Sequence, residues 1–404
     1  MQNKSYISGS LNRKSDFHIE YKPASTGALD IKIYSKTMNL HGSKLKAIAT
    51  STISFFNIKH GIFSITDNGG QYFVLQARLE AAIKSANSKI NNFFLNPINK
   101  KTLYKTTKKR FRRSRLYIPG NQPKLMLNAG IHEPDGIILD LEDSIEQSEK
   151  ISARYIVRNA LRTIDFFGSE HMVRINQGDL GIEDLHAIIP ENVHVILIPK
   201  VETKNDITSI DKLINKISKQ CNKTEPTLLL PIIESAKGIL NSFEIAKASK
   251  NIIGLAIGLE DYTADLGVKR TNTGKESLFA RSQLVQAAKA TGIQAIDTVF
   301  SDVSDELGLR ESVREAKGIG FEGKGCIHPR QIKPIHEEFT PTIKEIDEAK
   351  NIVKAFNHAT SKGIGVISLG SKMIDPPVVE RAQHTTKLAI SMNLLDKDWE
   401  LNEK

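Results

Sequence analysis

The sequence predicts an α/β protein: a (β/α)8 TIM barrel with a C-terminal helical extension, preceded by a small α+β domain. Three observations predict it. From Arg115 onward, short runs of Val, Ile and Leu alternate with helical stretches of about 10 to 20 residues, the order of βαβ units. Five of those runs, Ile137–Asp140, Met172–Arg174, Val195–Lys200, Leu228–Glu234 and Ile252–Gly258, stop on or beside ionisable residues. Strands buried on both faces read this way when their carboxyl ends carry a site. Residues 5–90, by contrast, keep a different rhythm.

In that front segment Phe17–Tyr21 and Leu29–Tyr34 alternate as half-buried strands around the turn-prone Ser25-Thr26-Gly27. Lys44–Phe56 has helical spacing, Gly61–Thr66 returns to strand, and Asp67-Asn68-Gly69-Gly70 is a turn. Phe73–Ser85 is an amphipathic helix. The barrel strands are expected at 115–118, 135–140, 171–175, 193–198, 227–233, 252–257, 293–299 and 323–327. An open dinucleotide-binding sheet would need a glycine fingerprint after its first strand, which residues 117–123 lack. Thr340-Pro341 ends the barrel; a helix near 343–361, a strand or loop at 363–369 and a last helix near 377–393 follow. The expected divisions are 1–92 for the front domain, 93–111 for a basic linker, 112–340 for the barrel and 341–404 for the extension.

Composition narrows the class. A chain of 404 residues suits a barrel of about 250 residues plus appendages. No apolar stretch approaches the roughly 20 residues that span a bilayer, and the start MQNKSYISGS has no apolar signal core. Cys221 and Cys326 alone give no disulfide framework, so a cytoplasmic protein without membrane attachment is expected. The net charge of +10 is concentrated in Lys100, Lys101, Lys105, Lys108, Lys109, Arg110, Arg112, Arg113 and Arg115. Tyr104 and Phe111 are the only rings there, too few to stack on bases, so nucleic acid is not an expected partner. The stretch reads instead as a solvated interdomain segment whose last members can meet an anionic ligand.

Glu234 and the pair Glu260-Asp261 end neighbouring barrel strands. Two carboxylates from adjacent strand ends, completed by water and substrate oxygens, suit octahedral Mg²⁺; a capping or ion-paired role is the plainer alternative. Arg174 among apolar neighbours needs a partner: either a substrate carboxylate or a salt bridge to Asp140 or Glu142. Lys200 can serve an anionic thioester or a salt bridge. Asp140, Glu142 and Asp143 would include a group supporting the site and a helix N-cap, with Asp140 counted among the substrate-binding candidates. His328 reads as a satisfied structural histidine. Asp375 lies in a loop where two following prolines would keep its carboxylate free of a helix.

Residues 112–395 closely resemble the citrate lyase beta chain, within the wider citrate-lyase-like and malyl-CoA-lyase-like barrels. The resemblance rests on Arg-Ser-Arg-Leu-Tyr-Ile-Pro-Gly (113–120), Leu-Asp-Leu-Glu-Asp-Ser (139–144), Val-Arg-Ile-Asn (173–176) and Ile-Glu-Ser (233–235). It continues through Gly-Leu-Glu-Asp-Tyr (258–262), Gly-Ile-Gln-Ala-Ile-Asp-Thr-Val (292–299), His-Pro-Arg-Gln-Ile (328–332) and Lys-Met-Ile-Asp (372–375). It implies that Glu234 and Asp261 ligate Mg²⁺, that Arg174 binds a substrate carboxylate, and that Asp375 is an acid or base, delivered in related lyases from a neighbouring subunit.

The front segment, through Ser8-Gly-Ser-Leu and residues 68–82, resembles the citrate lyase gamma chain, an acyl carrier bearing a phosphoribosyl dephospho-CoA arm on a serine. Carrier and lyase are ordinarily separate chains; here they are fused. The carrier pattern sets the modified serine two positions before an aspartate. This chain is one residue longer there, with Lys14 in the expected slot and Ser15 beside Asp16, which makes Ser15 the candidate attachment site. The implied reaction is Mg²⁺-dependent cleavage of a citryl thioester to oxaloacetate and an acetyl thioester, in a homo-oligomer served by an alpha-type CoA-transferase subunit. The alternatives are a lyase for free malyl-CoA or citramalyl-CoA, with the front domain unmodified, and a non-catalytic scaffold that docks a lyase partner.

Overall fold

The structure, a computed structural model, describes residues 4–360, 367–369 and 372–402. It falls into two compact units, 1–335 and 336–404.

The first unit begins with a four-stranded sheet of β1 (Tyr6–Ser8), β2 (Phe17–Pro23), β3 (Leu29–Ser35) and β4 (Gly61–Asp67), in the order β1-β2-β4-β3. Strand alternation supplies its core: Phe17, Ile19 and Tyr21 of β2 and Phe63 and Ile65 of β4 are buried while their neighbours are not. Tyr21 and Phe63 stack at 4.1 Å. Helix α1 (Met38–Phe55) buries Leu45, Ala49, Thr52 and Ile53, one face at helical spacing.

Helix α2 (Tyr72–Ala86) behaves differently: from Phe73 to Lys84 it is buried almost throughout, with only Gln76 partly open. Its own sheet covers one side. Helix α4 (Lys150–Thr163) of the barrel covers the other, after the short α3 (Pro123–Met126). Arg78, fully buried, donates to both oxygens of Asp16 at 3.0 and 2.7 Å and to the Ser152 hydroxyl. Glu80 takes two hydrogen bonds from Arg158, at 3.0 and 2.8 Å, and Asn159 donates to the Phe73 carbonyl at 2.9 Å. The front domain is therefore clamped to the barrel by buried charge pairs.

The barrel is closed and wholly parallel: β5 (Ser114–Pro119), β6 (Gly136–Asp140), β7 (Glu170–Arg174), β8 (Val195–Ile198), β9 (Leu228–Ile233), β10 (Gly254–Ile257), β11 (Gln294–Asp297) and β12 (Gly323–Cys326). All eight fall within two residues of the expected spans. Ile138, Met172, Val195, Leu197, Leu230 and Ile296 fill the interior. Outside run α5 (Gly178–Ile188), α6 (Lys204–Gln220), α7 (Ala236–Leu240), α8 (Ser242–Ala246), α9 (Leu259–Asp265), α10 (Leu278–Thr291), α11 (Glu306–Ile319) and α12 (Ile332–Phe339).

The basic stretch before the barrel keeps Lys100, Lys101, Lys105, Lys108 and Lys109 exposed, as expected, but it is tied to the barrel rather than free. Asn99 bonds the Arg162 carbonyl at 2.8 Å, and Tyr104 reaches the Ser169 carbonyl and the His171 ring at 2.6 Å each. Arg112 is buried on Glu170 at 2.7 and 2.8 Å, and Arg113 grips Asp135 at 2.9 Å. Glu170 opens its strand, so these arginines close the base of the barrel, away from its mouth. A buried charge must find a counter-ion, and the barrel base supplies it. Beside them the His171 and His194 rings stack at 4.5 Å, and burial pushes their pKa values down to about 3 and about 4.

The second unit packs α13 (Ile343–Thr360) and α14 (Pro376–Ser391) with the short α15 (Trp399–Asn402), burying Ala349, Val353, Ala382 and Trp399. Two short antiparallel strands, β13 (Ile367–Leu369) and β14 (Lys372–Ile374), precede α14. Of the strand or loop expected at 363–369, residues 363–366 lie outside the described residues. Among the described residues, no helix is long and apolar enough to cross a membrane.

Candidate active site

The carboxyl ends of the strands open into a cavity of about 440 Å³ whose lining includes Arg115, Tyr117, Asp140, Arg174, Glu234 and Asp261. Register explains the first pairing. Asp140 and Arg174 are cross-strand partners at the ends of β6 and β7. Arg174 donates from Nε and Nη2 to the two Asp140 oxygens, both at 2.6 Å, a bidentate fork. Its Nη1 lies 3.2 Å from Asp143 and 3.0 Å from Glu142, and the Tyr117 ring sits 5.4 Å from its guanidinium carbon.

Burial alone would raise the Asp140 carboxyl, but the hydrogen bonds and charge of Arg174 outweigh it and hold Asp140 below the ordinary aspartate range. Asp140 also accepts the backbone N–H groups of Glu142 and Ser144 at 3.0 and 3.2 Å. Both its oxygens are thus committed to holding Arg174 and the following turn rather than left open to a ligand. The helix N-cap expected among Asp140, Glu142 and Asp143 is absent, because α4 starts only at Lys150.

Glu234 follows β9 and is 5 % exposed. Its Oε1 accepts the Lys200 backbone N–H at 2.8 Å. Lys200 presents that N–H from a left-handed backbone, φ 52°, uncommon for a side chain of this size. A Cβ at Gly258 would lie 2.3 Å from Glu234 Oε2, so only glycine lets this carboxyl lie across the end of β10. Burial, with the charge of Asp261 added, pushes the Glu234 carboxyl up to about 8. Asp261 stands in the first turn of α9, its side chain 44% exposed, with Lys200 Nζ at 3.9 Å. That ammonium is also 3.4 Å from Glu142 and 3.5 Å from Asp143, and their charges outweigh its desolvation and raise its pKa.

Among the described residues there is no cluster of three or more His, Cys, Asp or Glu side chains arranged for a metal. Glu234 and Asp261 are two carboxylates on one cavity, and among the described residues Glu234 Oε2 receives no hydrogen bond. A donor set of one or two carboxylates with water and substrate oxygens is what Mg²⁺ takes, so these residues fit it. A divalent cation would also offset the burial and the Asp261 charge that raise Glu234.

Asp375 belongs to the second unit and is not free of a helix as expected: it caps α14, with Oδ1 accepting the Val378 N–H at 3.2 Å. Pro376 and Pro377 occupy the first helical positions, where a missing N–H costs nothing. His328 accepts the Arg330 N–H at 3.2 Å and caps a short turn. Ser15 is partly exposed at φ 58°, its N–H bonded to the Asn68 carbonyl at 3.0 Å. The preceding Arg13 binds the Asn121 carbonyl at 3.0 Å and Glu149 at 2.9 Å. Asn121 lies just past the end of β5, so the Ser15 loop is pinned to the rim of the barrel mouth.

Sequence reasoning did not single out Tyr117, Gly258 or Arg115. Arg115 and Tyr117 alternate along the expected strand, which places both on its inner face, but Arg115 was absorbed into the basic run.

Residues 113–329 match the family model described as HpcH/HpaI aldolase/citrate lyase. Residues 3–86 match that described as malonate decarboxylase delta subunit. The citrate lyase subunit beta of Leuconostoc mesenteroides subsp. cremoris is 42% identical over 298 residues, 73% of this chain and 99% of its own. The mitochondrial citramalyl-CoA lyase of Rattus norvegicus is 34% identical over 293 residues, 70% and 87% of the two chains. The solved structure of the protein CitE from Mycobacterium tuberculosis, in complex with magnesium, acetoacetate and coenzyme A, superposes with a TM-score of 0.58 at 27% identity, covering 70% of this chain and 99% of that one.

Proposed function

The chain belongs to the HpcH/HpaI aldolase/citrate lyase family and is a lyase, and we propose that its barrel cleaves a citryl thioester to oxaloacetate and an acetyl thioester. The observation that carries this reading is the pair Glu234 and Asp261 on the cavity that Arg174 also lines. Relatives named citrate lyase subunit beta, and one bound to magnesium and a keto acid, support it.

Glu234 and Asp261 would hold Mg²⁺, which supplies Lewis-acid polarisation of the substrate's hydroxyl and carboxylate oxygens. Cleavage removes the hydroxyl proton, breaks the carbon–carbon bond and leaves its electron pair on the thioester fragment as an enolate, which takes a proton at carbon. Arg174, fixed by Asp140, orients a substrate carboxylate with the donors its fork leaves over. Asp375 is assigned the proton transfer to the enolate carbon, from a neighbouring subunit of a homo-oligomer.

The front domain would act as a carrier in cis, with the arm on Ser15; the Arg13 contacts that pin this loop to the barrel rim support it. An alpha-type CoA-transferase subunit would load it. The relative named citramalyl-CoA lyase supports a second reading, in which the barrel takes free CoA thioesters. Purified full chain should release oxaloacetate from a citryl thioester only with Mg²⁺, and Glu234→Ala should not; no Mg²⁺-dependent release would overturn the lyase proposal. Intact-mass measurement of protein from its native host separates the two readings. A prosthetic increment on the Ser15 peptide supports the carrier, and its absence together with turnover of malyl-CoA or citramalyl-CoA supports the free thioester.

A further inference from the structure

Among the described residues, Arg115 is a buried cation with no ion-pair partner. Its side chain is 1 % exposed, and Nε and Nη1 are buried without a hydrogen-bond partner. Every comparably buried arginine among the described residues behaves otherwise. Arg78 holds Asp16, Arg112 holds Glu170, Arg154 holds Asp184, Arg158 holds Glu80 and Arg281 holds Asp297. Leaving a guanidinium unpaired in a barrel interior is costly, since arginine cannot shed its charge to escape the penalty.

Its position says what the missing partner is. Arg115 precedes Tyr117 by two residues on the inner face of β5, so it lies about 7 Å deeper, on the floor of the same cavity. Its cross-strand neighbour is Gly325, which brings no side chain to the inner face and so no counter-ion. A Cβ at Gly325 would fall 2.8 Å from Val299 and 3.3 Å from the Tyr117 ring. Above it, the Arg174 fork is already occupied by Asp140. Arg115 is therefore the lining cation whose donors are uncommitted, at the end of the cavity away from the solvent.

We propose that Arg115 binds a second carboxylate of the substrate, so that the cavity selects a keto acid bearing a distal carboxylate over a monocarboxylate. This rests on the lyase reading and deepens it: the fragment released is of the oxaloacetate type, and the pyruvate-type fragment leaves Arg115 unpaired.

Calorimetric titration of the Mg²⁺-loaded full chain with oxaloacetate and with pyruvate tests it. Wild type should prefer oxaloacetate. Arg115→Met should weaken oxaloacetate by on the order of 10- to 100-fold and leave pyruvate unchanged, the scale of one charged hydrogen-bonded contact. Arg115→Lys, which keeps the charge but loses the fork, should fall between. Arg115→Met also removes the unpaired charge, so its ligand-free melting temperature should equal or exceed that of wild type. Unchanged oxaloacetate affinity in a folded Arg115→Met, or an equal loss for both acids, would overturn the proposal. Wild type that binds neither acid would instead overturn the lyase reading, and this inference with it.

Discussion

Gly258 and Glu234 share one space: the Glu234 carboxyl lies where any side chain at position 258 would begin, 2.3 Å from the Cβ that alanine would add. Two neighbouring strand ends are thereby coupled, since the glycine of one admits the acid of the other. Gly258→Ala should push Glu234 off the end of β10 and weaken Mg²⁺ binding by about tenfold or more, a shift of roughly 1.4 kcal/mol. Calorimetric titration with Mg²⁺ checks it, and an unchanged affinity would show that Glu234 can move without losing its place in the site.

Glu234→Gln isolates the carboxylate from its geometry. The amide keeps the shape and the hydrogen bond from Lys200 but removes the charge that Asp261 opposes. The variant should melt at or above the metal-free wild type and show no stabilisation by Mg²⁺, where the wild type gains by mass action. EDTA should abolish wild-type turnover and leave the variant's melting curve unmoved.

Arg174→Lys replaces a two-pronged contact with a point charge. Asp140 would lose one of its two 2.6 Å bonds while keeping the Ser144 N–H. Turnover should fall by on the order of 10- to 100-fold, about 1.5–3 kcal/mol. Near-wild-type kinetics would reduce Arg174 to a strut of the barrel.

The stacked His171 and His194 set an acid limit on stability. Burial lowers their folded pKa values from 6.5 to about 3 and about 4. The unfolded chain therefore takes up protons below about 6.5 while the folded chain does not. Stability is full above that pH and is lost on acidification toward pH 4, at up to about 1.4 kcal/mol per pH unit for each ring. Urea melts of wild type and His171→Gln at pH 7 and pH 5 should show a smaller loss in the variant.

Arg78→Met should cost about 3–5 kcal/mol, because it leaves the buried Asp16 carboxylate with only the longer 3.5 Å contact to Arg13 as an ion pair. Limited proteolysis should then cut between the front domain and the barrel at a concentration that leaves wild type intact.

The barrel was legible because parallel strands buried on both faces must be written as unbroken apolar runs, as in Ile137–Leu139 or Leu228–Leu230. Strand β1 was not, since Tyr6–Ser8 is too short to show a period. Position alone could name Glu234 and the pair Glu260-Asp261; choosing Asp261 from the pair took the resemblance. The clamp of Arg78, Asp16 and Ser152 could not, because it joins residues far apart in sequence with no shared pattern. Arg115 was hidden for another reason: among charged neighbours, one arginine that turns inward looks like the rest.

Were the front domain to carry an acyl group as proposed, the clamp at Arg78 would govern how that group reaches the barrel. A domain locked in this way does not wander between stations on a tether; only an arm rooted near the rim can swing. One acyl load would then meet one reaction chamber at a local concentration independent of how dilute the protein is. The encounter of load and chamber should then not slow on dilution while the subunits stay associated, with one load for each barrel.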